Sequence, residues 1–380
     1  MDMKRILVAL CALGLGMGLA CGPAAAADTV KIGVPGAHSG ELTTYGLPSL
    51  LATQLVVEEW NANGGVLGKK IEVIAQDDQC KPEMATNAAT KLVSDGVHVV
   101  MGHICSGATK AAMPIYTNAK IVAMSPSATT PSLTQSGENP YFFRTIANDN
   151  DQAKLSSKFI AEVLKSKKIA ILHDNGEYGK GFAETNKNLL EKLGGAEIVL
   201  FEAINPDAVD FSAAVRKMKR AGADVVIFGG YHPLASKLLQ QMNRDRVHIP
   251  MVGPDGLKDE SLIKMAGKAA EGVYSTYPSD TSKLPVYIKA REQHLKKHNA
   301  EPGPFFYNAY SAALALLTGI KNAGSTDTAK IMDALHNNPV ETPSGTLKFD
   351  QKGDPTGVGL SIYQVKDGKF VELEHKLVLD

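Results

Sequence analysis

The chain has 380 residues, of which 40 are basic and 40 acidic, so it carries no net charge; 44% of it is apolar. It has no basic stripe or polybasic tail of the kind that nucleic acid or anionic membrane attracts. The length allows a leader and two domains with cores of their own.

Lys4 and Arg5 open the chain, an apolar run follows over Ile6–Ala20, and Ala24–Ala27 precede Asp28. This is the three-part pattern of a secretory signal peptide, too short to span a bilayer, which takes about 20 residues. Residues 1–27 are therefore expected to leave, and the mature chain to begin near Asp28 as a soluble, exported protein. Cys21 offers an alternative, lipid attachment. Gly18 stands where lipoprotein signals usually carry a leucine-like residue, so ordinary cleavage fits better. Cys11 and Cys21 go with the leader, which leaves Cys80 and Cys105. In an oxidising compartment the simplest expectation is a disulfide, closing a loop of about 26 residues and worth about 3 kcal/mol; two buried thiols are the alternative.

Val30–Val34 is the first strand-like run. Leu47, Leu50, Leu51, Leu55 and Trp60 then recur at helical spacing until Gly64-Gly65 stops the helix. Further short β-branched runs lie at Ile71–Ala75, Val97–Met101, Ile121–Met124, Ile169–His173, Glu197–Phe201, Val225–Phe228 and Met251–Val252. Helix-like stretches separate them, such as Phe211, Val215 and Met218 ahead of Gly222. This alternation predicts parallel sheets covered on both faces. It runs through two cycles, the first ending near Tyr141–Ile146 and the second opening with a helix over Asp151–Ser166. The expected fold class is α/β, with two doubly wound parallel-sheet lobes. Helices over Pro285–His298, Asn308–Asn322 and Thr328–Asn337, and strands Gly359–Lys366 and Phe370–Leu373 around Asp367-Gly368, are too few for a third lobe and are expected to pack onto the two. A ligand would sit in the cleft, beyond the carboxyl ends of the strands.

The residues just after each strand are thus the informative ones. Gly102–Thr109 and Ser125–Pro131 both place hydroxyls where a helix begins, which suits either an anion held by free N–H groups or plain capping. In the second cycle, Gly229–Pro233 and Gly253–Gly256 follow strands. Asp255 can pair with an ammonium, and Tyr231 can add a hydrogen bond or an aromatic face; a Pro-Asp-Gly turn is the plain reading of Asp255. Together these motifs fit a zwitterion. Tyr45, Tyr178 and Phe305–Tyr307 are expected in loops, where they can wall an apolar pocket or simply pack against a lobe. The chain contains no G-x-S-x-G, no H-E-x-x-H and no P-loop. His294 and His298 are four apart, but Glu292, Lys296 and Lys297 around them suggest a solvated helix face rather than a metal site. His103 and Ser106 lack a third member for nucleophilic catalysis.

Trp60–Ile71, W-N-A-N-G-G-V-L-G-K-K-I, resembles the helix-turn-strand signature of periplasmic branched-chain amino acid binding proteins; Gly102–Ser106, Gly229–Pro233 and Gly253–Gly256 are similar to further motifs of that family. The resemblance covers nearly the whole mature chain. It implies a type I periplasmic binding fold with three crossovers, lobe I being residues 28–147 and 279–355 and lobe II residues 148–278 and 356–380. It also implies a periplasmic monomer that closes on an amino acid and delivers it to the permease subunits of an ABC transporter, with no cofactor and no covalent step.

Carried over by position, Ser106 and Thr129 look like the hydroxyls that hold the ligand carboxylate. The Ser127 carbonyl would accept from the ammonium. Tyr231 and Asp255 resemble the second-lobe groups at the ligand's polar end, and Tyr45, Cys105, Tyr178 and Phe305 the walls around its side chain. Cys80 and Cys105 match the family's disulfide. Two departures bear on specificity. Leucine-type relatives often have glutamate at Asp255, so a bridging water or tighter closure is needed here. Ser127 and Gly107 stand where such relatives often have alanine and serine. Leucine, isoleucine or valine is the expected ligand. Another amino acid, an amide or an aromatic acid is the alternative within the class, and an exported α/β enzyme the alternative outside it. Closure without product formation separates the last from the rest.

Overall fold

Strand β1 (Val30–Gly36) buries Val30, Ile32 and Val34 on one face and Gly33 and Pro35 on the other, as a strand covered on both faces must. In the computed structural model, which describes residues 29–374, β1 pairs in parallel with β2 (Ile71–Asp77) and β3 (Val99–Met101). With β4 (Val122–Ser125) and β5 (Phe142–Arg144) these form an all-parallel sheet of order β2-β1-β3-β4-β5. Helix α1 (Thr43–Ala62) covers one face; α2 (Pro82–Ser94) and α3 (Ser106–Ala119) cover the other, and the short α4 (Ser132–Gln135) follows β4.

Helix α5 (Asp149–Lys158) opens the second lobe and runs on as a π-helical turn, Phe159–Leu164. Strands β6 (Lys168–His173), β7 (Glu197–Ala203), β8 (Val225–Gly229), β9 (Met251–Gly253) and β10 (Tyr274–Pro278) follow, linked by α6 (Glu177–Leu193), α7 (Ser212–Ala221), α8 (His232–Arg244) and α9 (Glu260–Ala266). The chain then returns as α10 (Pro285–His298), α11 (Phe306–Ala323) and α12 (Thr328–Asn337), of which α11 packs Phe306 and Leu316 onto the first sheet beside Ile32. A small antiparallel sheet of β11 (Val340–Thr342), β12 (Gly345–Phe349) and β13 (Pro355–Thr356) comes next. Finally β14 (Leu360–Lys366) and β15 (Lys369–Glu372) cross back, so the second sheet has the order β15-β14-β10-β9-β8-β6-β7. The chain thus crosses between the lobes three times, after β5, after β10 and after β13.

Each lobe has apolar clusters on both faces of its sheet. Leu172 with Val215 and Leu238, and Ile171 with Phe182 and Leu190, cover the two sides of the second. A fully buried aliphatic side chain is worth about 1.5–3 kcal/mol, so these clusters hold the lobes together.

Several expectations need correcting. Strand β10 was not anticipated, because Tyr274-Ser275-Thr276-Tyr277 has no apolar run. Ser275 and Thr276 are nonetheless fully buried, since the Ser275 hydroxyl donates to the Pro254 carbonyl (2.8 Å) and Thr276 to Gln152 Oε1 (2.5 Å). The β11–β13 sheet was not anticipated either. His294 does not lie on a solvated face: it is 3% exposed and packs against Phe306, ring centroids 4.7 Å apart. Residues 1–27, expected to be a leader and including Cys21, lie outside the described residues.

Cys80 and Cys105 form a disulfide, with Cα atoms 5.4 Å apart. It ties the loop after β2 to the start of α3. Replacing Cys80 with serine should lower the melting temperature, by up to about 3 kcal/mol of stability on the loop-closure argument, and change ligand affinity much less. Equal melting temperatures with and without reductant would show that the bond contributes nothing.

Candidate functional site

The loops at the carboxyl ends of both sheets face one another across the cleft. From the first lobe come Cys105 and Ser106, at the start of α3, and Ser127 and Thr129, after β4. From the second come Tyr178 on α6, Tyr231 ahead of α8, and Asp255 after β9. Tyr45, Cys105, Ser127, Tyr178, Tyr231, Asp255 and Phe305 line one narrow pocket, joined by Ile104 and Gly256. Ser106 and Thr129 stand beside it, both buried. A much larger cavity, about 1060 Å³, lies elsewhere between the lobes, with Thr44, Pro48, Lys258 and Tyr277 among its walls. None of the nine expected site residues lines it.

On the first-lobe side, Ser106 Oγ accepts the Thr130 N–H (3.3 Å), which joins the two hydroxyl-bearing loops. The Ser127 hydroxyl is spent on the Ile104 carbonyl (2.7 Å), so its own carbonyl is what that residue can offer a ligand. Helix α3 begins at Ser106, and the first N–H groups of a 14-residue helix attract an anion.

On the second-lobe side, Gly179 sets the geometry. A Cβ there would lie 2.4 Å from the Gly229 carbonyl oxygen, so glycine lets α6 approach β8 and brings Tyr178 to the cleft. The Tyr178 hydroxyl donates to Asp255 Oδ1 and accepts the Gly256 N–H (2.8 Å). Tyr178 and Tyr231 stack with centroids 4.9 Å apart. Asp255 is 1% exposed, and its Oδ2 has no hydrogen-bond partner among the described residues. Burial pushes its carboxyl up to about 6, with the hydroxyl of Tyr178 pulling the other way. Burial also raises the hydroxyls of Tyr45, Tyr178 and Tyr231, which therefore stay protonated and can donate.

A network that sequence reasoning missed lies behind Asp255. Gln152 Oε1 accepts the Asp255 N–H (3.0 Å), and Gln152 Nε2 donates to Asp149 Oδ1 (3.1 Å). The Asp149 N–H in turn donates to the Thr129 carbonyl (2.9 Å), linking the two halves of the site. Asp149 is fully buried; burial, with the charge of Asp255 adding to it, raises its carboxyl strongly. The sequence places this helix start at Asp151, two residues after the observed start at Asp149, and only the fold brings Asp149 and Gln152 beside Asp255.

Tyr45 closes the site. Its hydroxyl reaches from α1 to the Gly256 carbonyl (2.7 Å) and to His232 Nδ1 (2.5 Å) on the opposite lobe. Phe305 packs against it, centroids 5.5 Å apart, and donates its N–H to the Tyr277 hydroxyl (3.0 Å). At the rim, Lys110 and Glu177 pair across the cleft at 2.8 Å, a half-exposed contact worth at most about 1 kcal/mol. His103 is buried and engages both ring nitrogens elsewhere than Ser106, Nδ1 with Asp78 (2.6 Å) and Nε2 with Tyr116 (3.0 Å). The arrangement suits a zwitterion, with a carboxylate acceptor on one wall, a helix N-terminus on the other, and aromatic rings between them.

Two doubly wound lobes, three crossovers and an interlobe cleft define the type I periplasmic binding fold. The chain belongs to the periplasmic binding protein family, whose model matches residues 29–369. It is 39% identical over 340 residues to the leucine-, isoleucine-, valine-, threonine- and alanine-binding protein of Pseudomonas aeruginosa, covering 89% of this chain and 90% of that one. It is 35% identical to the Leu/Ile/Val-binding protein of Escherichia coli, covering 89% and 91%. Among solved structures, the branched-chain amino acid transporter substrate-binding protein of Streptococcus pneumoniae, in complex with isoleucine, superposes with a TM-score of 0.82 at 30% identity, covering 91% of this chain and all of that one.

Proposed function

We propose that this protein is the solute-binding component of an ABC importer, and that it captures an aliphatic amino acid with a branched side chain. The observation that carries the reading is Asp255, a fully buried carboxylate with one oxygen unpartnered among the described residues, set across the pocket from the α3 N-terminus. The relatives named above, which bind leucine, isoleucine and valine, support the same ligand class. In this reading the α-carboxylate lies at α3 with Ser106 and Thr129. The ammonium lies between Asp255 and the Ser127 carbonyl, near Tyr231, and Tyr45, Cys105, Tyr178 and Phe305 enclose the side chain. Among the described residues, 29–147 with 279–355, and 148–278 with 356–374, turn as two bodies about the crossovers. The protein is a periplasmic monomer, requires no cofactor, performs no catalysis, and hands its ligand in the closed form to the permease subunits.

A thermal-shift panel tests this. The chain from Asp28 onward is stripped of ligand by unfolding and refolding, then given amino acids, amides and aromatic acids in excess. A ligand at about 100 times its Kd adds about 2.7 kcal/mol, a shift of several degrees. Leucine, isoleucine and valine are expected to give it. A shift with amides or aromatic acids alone would keep the binding role and replace the ligand; no shift with any would overturn the reading.

A further inference from the structure

Arg144, at the end of β5, is the largest fully buried side chain among the described residues, and it touches neither the pocket nor any expected ligand group. Its Nη1 donates to the carbonyls of Ala128 and Thr130 (3.0 Å each), its Nη2 to the Thr134 hydroxyl, and its Nε to Asp354 Oδ1 (2.6 Å). The planar guanidinium thus grips two alternate carbonyls of the segment that carries Ser127 and Thr129. Between those two carbonyls, the Thr129 carbonyl accepts the Asp149 N–H from the second lobe (2.9 Å).

Asp354 is equally committed. Besides Arg144 it accepts from Thr134 (3.0 Å), from Gln135 (2.6 Å) and from Asn148 Nδ2 (3.3 Å). Asn148 lies in the first crossover, where it caps α5, and Asp354 directly precedes β13 and the third crossover. The Arg144 N–H also donates to the Gly353 carbonyl (3.1 Å), so backbone and side chain share the tie. One buried network therefore joins the first-lobe ligand loop to two of the three strands of chain about which the lobes turn.

We propose that Arg144 and Asp354 are positioning residues for ligand capture: they set the Ser127–Thr130 segment toward the cleft and couple its placement to the hinge. This rests on the reading of Ser127 and Thr129 as ligand-binding. A charged pair so fully buried costs desolvation that an apolar pair would avoid, and its geometric fixing of three segments is what it provides in return.

The test uses L-leucine as probe. Asp354→Asn removes the charge at nearly constant shape. Asn148→Ser keeps a capping oxygen for α5 but cannot reach Asp354, and so cuts only the link to the first crossover. Leucine affinity is measured by calorimetry well below the melting temperature, and the contraction on leucine addition by small-angle scattering. Both variants are expected to lose about three- to thirtyfold in affinity, with a smaller contraction. Unchanged affinity and contraction in folded Asp354→Asn and Asn148→Ser, even with a lower melting temperature, would make the network merely structural and overturn the proposal. Thr129→Val, assayed alongside, addresses the site itself: unchanged affinity there would overturn the placement of the ligand carboxylate, a failure distinct from that of the positioning role.

Discussion

Asp255→Ala is expected to weaken amino-acid binding by about 2–5 kcal/mol, roughly thirtyfold to several thousandfold in Kd, because it leaves a buried ammonium without its counter-charge. Asp255→Asn should lose nearly as much while keeping an acceptor for the Tyr178 hydroxyl, which separates charge from shape. Calorimetry at pH 7.5 reads both, and unchanged affinity in either would remove Asp255 from the ammonium site. The same group predicts a pH dependence. Burial raises the folded-state pKa of Asp255 to about 6, above its usual value near 4. In the ligand-free protein, this group therefore makes the fold less stable as pH rises through that window. A bound ammonium favours the ionised form and reverses the preference. Affinity should thus be full above about pH 6.5 and fall as pH drops below 6, with proton release on binding near pH 5.5. A flat affinity between pH 5 and 7.5 would contradict it.

Arg144→Ala is expected to destabilise the fold by about 3–5 kcal/mol, the range for breaking one side of a buried ion pair. It would strand the Asp354 carboxylate and the carbonyls of Ala128 and Thr130. The residue is fully buried, so solvent cannot replace the lost donors cheaply. Urea unfolding should show a lower midpoint at similar slope. A loss below about 0.5 kcal/mol, the range of ordinary surface changes, would show that the pair contributes little.

Much of this architecture was legible in local pattern. The run Val225–Phe228 announces a buried parallel strand because both of its faces are apolar, and Gly64-Gly65 marks a helix end because each adopts positive φ. Strand β10 was not legible: Ser275 and Thr276 look like loop residues until the Pro254 carbonyl and Gln152 are placed beside them. The burial of His294 is not legible either, because its charged sequence neighbours say nothing about Phe306, which arrives from the next helix.

The site divides the same way. A hydroxyl or carboxylate just past a strand has its position dictated by the strand itself, so chain order alone places Ser106, Thr129 and Asp255 at the carboxyl ends of the sheets. Their partners cannot be placed that way. Gln152 meets Asp255 across 103 residues, Tyr45 meets Gly256 across 211, and Arg144 meets Asp354 across 210. Hydrogen bonding over such separations depends on how the crossovers set the lobes, and no periodicity in the chain encodes it. Local chemistry therefore settled the class of fold and the kind of group at each strand end. The packing of distant segments settled which buried charges face one another and how the Ser127–Thr130 segment is tied to the first and third crossovers.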